Sequence, residues 1–183
     1  FITFRILDIA DLSAEGTFPM GAAVCALCIM HDINPILATF CGMLGGMLAG
    51  FVSGIMHTKM KIPALLTGII TLTGLYSVNL LILGSSNVYL STHETIVTMV
   101  AKLGLDRTSS VLLIGSVFVV LVILILYLFL NTQLGLALRA TGDNVAMGQA
   151  NGIKVDRMKI LGYMIGNGLI ALSGALLAQN NGY

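Results

Sequence analysis

Four stretches of this chain, 35–56, 62–83, 109–130 and 160–178, run for about 20 residues each without one Asp, Glu, Lys or Arg. At about 1.5 Å of rise per residue, a helix of that length crosses the roughly 30 Å hydrocarbon core of a bilayer. Inside lipid every backbone N–H and C=O must be paired within the protein, so such stretches are helices. The whole chain agrees: 57% of its 183 residues are apolar and 9% charged, against about 25% charged in a water-soluble domain. The expected fold is all-α, a polytopic transmembrane bundle, with 1–183 as a single membrane domain. Nothing basic is long enough to hold a nucleic acid.

A fifth apolar stretch, Phe18–Met30, is too short to cross unaided and follows Gly16 and Pro19. It predicts one short or broken helix, which membrane depth tolerates only where the backbone is buried in protein or lines a polar cavity. Asp8, Asp11 and Glu15 precede it, so these carboxylates face either a substrate amine or cation, or solvent. The chain begins at Phe1 without Met and stops at Tyr183 just past an apolar run, which reads as part of a longer protein. Orientation follows from the basic residues: Lys59 and Lys61 in 57–61, and Arg139, Lys154, Arg157 and Lys159 in 131–159, place both segments in the cytoplasm. The intervening loop, 84–108, is then external. Within it Ser91-x-x-Glu94 is a capping-box pattern, and apolar residues at 96, 99, 100 and 103 predict a short helix over 92–103.

Small residues mark the packing faces. Gly42, Gly46, Gly50 and Gly54 repeat at every fourth position, beside a second small ridge of Cys41, Gly45, Ala49 and Ser53. On a helix these rows make a smooth face that another backbone can approach closely. Thr67, Thr71 and Gly74 share a stripe, with Ser77 and Asn79 near its outer end, and Thr67, Thr71 and Ser77 join Asp11 and Glu15 as candidates to line a solute path. Stretch 109–130 is Val/Ile/Leu-rich nearly all round and reads as lipid-facing. Asn167 is the costliest polar residue in the last span, expected as an interhelical hydrogen-bond partner. Cys25, Cys28 and Cys41 lie in apolar surroundings without a zinc-type spacing, so no metal site is expected. No G-x-S-x-G, H-E-x-x-H or G-x-x-x-x-G-K-[ST] pattern occurs, and no enzyme is expected.

The segment between the last two spans is the most distinctive. Gly142 is expected to break the chain, Asp143 to N-cap, and 144–151 to form two helical turns ended by Gly152. The run from Gly135 through Ile153, with Leu138-Arg139-Ala140, Gly142-x-Asn144 and Gly152-Ile153, resembles the cytoplasmic coupling region of the ABC importer permeases serving branched-chain amino acids, ribose and nucleosides. Ala171-Leu172-Ser173-Gly174-Ala175-Leu176 is similar to the helix that follows there, and Asp11-Leu12-Ser13-x-x-Gly16 with Pro19-Met20-Gly21-Ala22 to its broken early helix. The flanking sequence is nearest a branch assigned to tryptophan- or tyrosine-like substrates.

The resemblance implies a permease subunit of an ATP-driven importer for a small polar solute, an amino acid or related compound, in a bacterial cell membrane. It further implies ATPase subunits gripping 131–159 through Arg139, Gly142, Asn144, Met147, Gly148 and Gly152, an external solute-binding protein, and a second permease copy. ATP and Mg²⁺ would then sit on the partner ATPase, with no cofactor in this chain. One departure stands out: Met147-Gly148 replaces the motif's second Ala, which lowers helix propensity. The alternative is a fragment of an ion-coupled secondary transporter or channel.

Overall fold

A computed structural model describes residues 2–84, 96 and 107–181 of the chain. After a π-helical turn at Ile2–Ile6, its helices in chain order are α1 (Ala14–Met30), α2 (Pro35–Thr58), α3 (Ala64–Leu83), α4 (Arg107–Leu130), α5 (Gln133–Asp143), α6 (Val145–Ala150) and α7 (Val155–Asn181). Among the described residues there is no strand. By length and composition α2, α3, α4 and α7 can each cross a membrane. The helix expected over 92–103 and the Ser91–Glu94 capping box lie outside the described residues, Ile96 apart.

The helices overrun the charge-free stretches because a helix need not end where the hydrocarbon does. α7 begins at Val155, five residues before the apolar run, and carries Asp156, Arg157 and Lys159 into its first turns. Pro35 opens α2 at a first-turn position, where its missing N–H costs nothing. Gly84, at φ 64°, closes α3 in the left-handed conformation that glycine adopts freely. His57 holds the α2–α3 turn: its Nδ1 donates to the Ile62 carbonyl at 2.9 Å.

α1, α2 and α7 form the core, and backbone proximity makes it. A Cβ on Gly42 would lie 2.8 Å from the Gly21 carbonyl oxygen of α1, and one on Gly54 3.0 Å from Ile160 Cα of α7. Between them, side chains on Gly46 and Gly50 would overlap Ala171 and the Tyr163 carbonyl. The glycine row of α2 therefore runs antiparallel along one ridge of α7. Its second small row turns elsewhere: Gly45 faces Val24 of α1, and Ser53 donates to Thr71 of α3 at 3.0 Å.

α1 runs alongside α7 in the same direction, from Thr17 beside Asn167 to Cys25 beside Gln179. It starts near the midpoint of α7 and covers only its C-terminal half, as a half-helix would. It begins at Ala14, earlier than the sequence suggests, and continues through Pro19. Pro19 lies past the first turn, so α1 forgoes the bond its N–H would give to the Glu15 carbonyl, and the packing of α1 on α2 and α7 must hold the helix there. The space beside the N-terminal half of α7 is taken by segment 2–13, the π-helical turn and the irregular chain after it: Leu7 packs on Gly162, Thr3 on Gly166, and Ile6 on Gly142 of α5. One side of this segment is buried in protein, with Leu7, Ile9, Leu138 and Tyr163 in one apolar cluster, while Phe4, Arg5 and Asp8 are exposed.

Candidate functional site

Where the irregular segment hands over to α1, polar groups converge on Asn167, which is fully buried in the middle of α7. Its amide nitrogen donates to Asp11 at 2.9 Å and to the Tyr163 carbonyl at 3.1 Å. Its oxygen accepts from Thr17 at 2.9 Å, with Ser13 at 3.2 Å. Asp11 in turn accepts from the Ser13 backbone N–H at 2.9 Å and from its hydroxyl. Asn167 uses both ends of its amide, as a buried amide must if it is not to cost about 1–3 kcal/mol. The node fixes the start of α1 against α7. Asp11 is therefore half-buried and tied into the protein, whereas Glu15 is exposed on α1.

Of the other candidate path residues, Thr67 and Thr71 are buried and Ser77 is exposed. The buried ridge of α3 is Thr67, Thr71, Leu75 and Asn79, at strict four-residue spacing; Gly74 and Ser77 look away from it. Thr71 is paired with Ser53, but Thr67 Oγ1 and Asn79 Oδ1 have no hydrogen-bond partner among the described residues. A second node lies at the C-terminal end of α7. Gln179 donates to Thr39 at 2.8 Å and to the Pro35 carbonyl at 3.3 Å, and its oxygen accepts from the Ile96 N–H at 3.1 Å. Ser13, Thr17 and Gln179 escaped the sequence reading. The available signal for Gln179 was an amide in the last turn of an otherwise apolar span.

At the opposite end α5 and α6 form a compact corner between α4 and α7. Thr132 caps α5, accepting from Gly135 N–H at 3.3 Å. Gly135 abuts Phe129 and Leu130, so a side chain there would prevent the reversal from α4. Two expectations are corrected here. Gly142 does not break the chain but lies inside α5, and the cap of α6 is Asn144, not Asp143. Asn144 accepts from Met147 N–H at 3.0 Å from an extended backbone that Asp143, still helical, cannot supply. Gly142 is helical because its bare Cα lets the Ile6 carbonyl approach closer than any Cβ would permit.

α6 ends at Gly152, φ 77°, whose N–H donates to Gln149 while Ile153 N–H donates to Gly148, both at 3.0 Å. Those paired bonds are a Schellman motif. Gly148 is buried; Arg139, Asn144 and Met147 are exposed, and Arg139 has no polar partner among the described residues. The capped helix of six residues exposes Met147 and Gln149. No group of three or more His, Cys, Asp or Glu that could hold a metal is present among the described residues. A cleft of about 400 Å³ between α4 and α7 is lined mainly by apolar side chains such as Ile114, Phe118 and Leu172, with Ser173, Gln179 and Asn180 also on its wall.

Comparison with known proteins places these features. The model of the family described as branched-chain amino acid transport system, permease component, matches residues 1–183. The tyrosine transport system permease protein of Clostridioides difficile is 42% identical over 183 residues, all of this chain and 59% of that protein. An uncharacterised protein of Rickettsia prowazekii is 35% identical over the whole chain and 62% of its own length. An autoinducer 2 import system permease protein of Photorhabdus luminescens is 26% identical over 94% of this chain and 51% of itself. The chain thus spans roughly half to three-fifths of the relatives it matches. No solved structure matches it.

Proposed function

This chain belongs to the family of permease components of branched-chain amino acid transport systems, and on that premise we propose that it is the membrane-crossing part of an ATP-driven importer for an amino acid or related small polar solute. The α5–α6 corner is the part that one of two ATPase subunits grips, and it lies in the cytoplasm with 57–61. ATP and Mg²⁺ are bound by those subunits. An external binding protein delivers the solute, and a second permease copy completes the path. Support for the solute class comes from the family description and from the tyrosine named in one relative.

The observation that carries this reading is the contact of Gly142 with Ile6. A push on α6 is received by α5, and the close approach of Gly142 passes it to the irregular segment without slack. Five residues later that segment reaches Asp11, held by Asn167 in the middle of the bundle. Handle and core are therefore joined by a short strut anchored by the buried Leu7 and Ile9. The unpaired Thr67 and Asn79 supply polar groups on the neighbouring face of α3, where a solute could exchange its water for protein partners. Family membership supports the importer over an ion-coupled transporter.

Gly148→Pro tests the reading. Gly148 N–H donates to the Asn144 carbonyl at 2.9 Å, and Pro would remove that bond and crowd the preceding turn, at a cost of about 3 kcal/mol. In the full-length protein, membrane insertion should persist because no span is altered, while solute-stimulated ATP hydrolysis and uptake both fall. Parental transport by the proline variant would make α5–α6 a mere connector.

A further inference from the structure

At the handle end of the bundle a groove of about 530 Å³ opens between α2, the α6–α7 link and the first turns of α7. Phe51, Ile55 and Ile160 line its apolar part; Lys59, Lys154 and Arg157 stand on its polar rim, against one carboxylate, Asp156. The three cations are exposed and form no ion pair among the described residues. The geometry points to a binding site for an anionic phospholipid, its phosphate held by Lys59, Lys154 and Arg157 and its acyl chains lying on Phe51 and Ile55. This rests on the importer reading for one point, that this end of the bundle faces the cytoplasm.

Two features favour a lipid over a soluble anion or a protein segment. The first is amphiphilic lining: a free phosphate has no use for Phe51, Ile55 and Ile160, while a phospholipid matches both parts. The second is continuity. Phe40, Leu44, Leu48 and Phe51 form an exposed apolar ridge down α2, at spacings of four, four and three residues, and that ridge leads into the groove. An acyl chain entering from the bilayer follows it without leaving apolar surface. The cations stand where the spans α2 and α7 end, the depth of the headgroups. Charge complementarity of this kind contributes about 1 kcal/mol per basic residue, close to fivefold in affinity. Gln149 of α6 also lines the groove, so a bound headgroup touches the handle itself.

The test is native mass spectrometry of the full-length permease with its ATPase subunits, titrated with phosphatidylglycerol, phosphatidylcholine or inorganic phosphate. Phosphatidylglycerol should be retained and phosphatidylcholine not. Lys59→Gln and Arg157→Gln should each weaken retention about fivefold, and Lys59→Arg should restore it. Lys61→Gln, in the groove on the other side of the turn, should leave it unchanged. Equal retention of both lipids, competition by inorganic phosphate at matching concentration, or no loss in the Gln variants would overturn the site. So would expulsion of the lipid whenever the ATPase subunits bind, which would make the groove a protein interface. Uptake measured alongside separates the two readings: a permease that keeps the lipid but cannot transport leaves the lipid site standing and removes the importer.

Discussion

α2 and α4 are both 24 residues long and free of charge across their spans, yet they live in opposite surroundings. Within the most apolar stretch of α2, 44% of the residues are buried; within that of α4, 6% are, although α4 is the more hydrophobic helix. In water the ranking would be reversed. Lipid tails are as apolar as leucine, so hydrophobicity gives a helix no reason to leave them. What does is close packing, which needs small residues: α2 carries two small rows, and α4 presents Val, Ile and Leu nearly all round. Burial in this protein follows smallness, and polarity where a partner exists.

The strongest attack on that contrast is to give both helices the same large residue. Gly46→Leu drives a side chain into Ala171 and the Asn167 carbonyl, so the α2–α7 seam must open. Overpacking of this kind should cost about 3 kcal/mol, read as a lower melting temperature and loss of assembled permease. Gly115→Leu in α4, with no atom within 4 Å of its Cβ, should leave both readouts unchanged. Equal damage in the two variants would show that smallness does not decide burial.

Polarity can be probed next. Asn167→Ala strands Asp11, Ser13 and Thr17 without their shared partner and should cost about 2 kcal/mol in the same melting assay. A melt like the parent's would mean that α1 is held by glycine packing alone.

The smallest effects sharpen the rule inside the handle, where two glycines differ only in their neighbours. Gly142→Ala collides with the Ile6 carbonyl and should lose about 2 kcal/mol and some transport coupling. Gly148→Ala meets Val155 at 3.7 Å and Ala140 at 3.8 Å, ordinary contact distances, and should be neutral or gain up to about 1 kcal/mol of helix propensity. Thermal melts and solute-stimulated ATP hydrolysis of the pair provide the measurement. If Gly148→Ala proved the more damaging, Gly142 would not be the strut's contact.

Much of this was legible beforehand, and for a local reason. Four spans, a short early helix, an exposed α4 and a brief helix ended by Gly152 all follow from runs and spacings within a few residues of one another. Hydropathy and helical period act over that range, and so do caps. Even so, the cap slipped by one residue, from Asp143 to Asn144, because whether Gly142 stays helical depends on Ile6, far away in sequence. Ser77 was grouped with Thr67 and Thr71 by chemistry, while the ridge that α3 buries continues through Leu75 to Asn79.

By itself, then, the sequence determined that this protein belongs in a bilayer, which four of its stretches can cross it and which helix offers a bare face. Only the tertiary structure decided what that face meets, that residues 2–13 occupy the space beneath α1, and that Asp11 is a structural partner of Asn167, 156 residues away. The physical reason is the solvent. Where lipid is indifferent to which apolar face it touches, hydrophobicity carries no information about partners. The choice falls to shape and to single hydrogen bonds between distant residues, which no local pattern records.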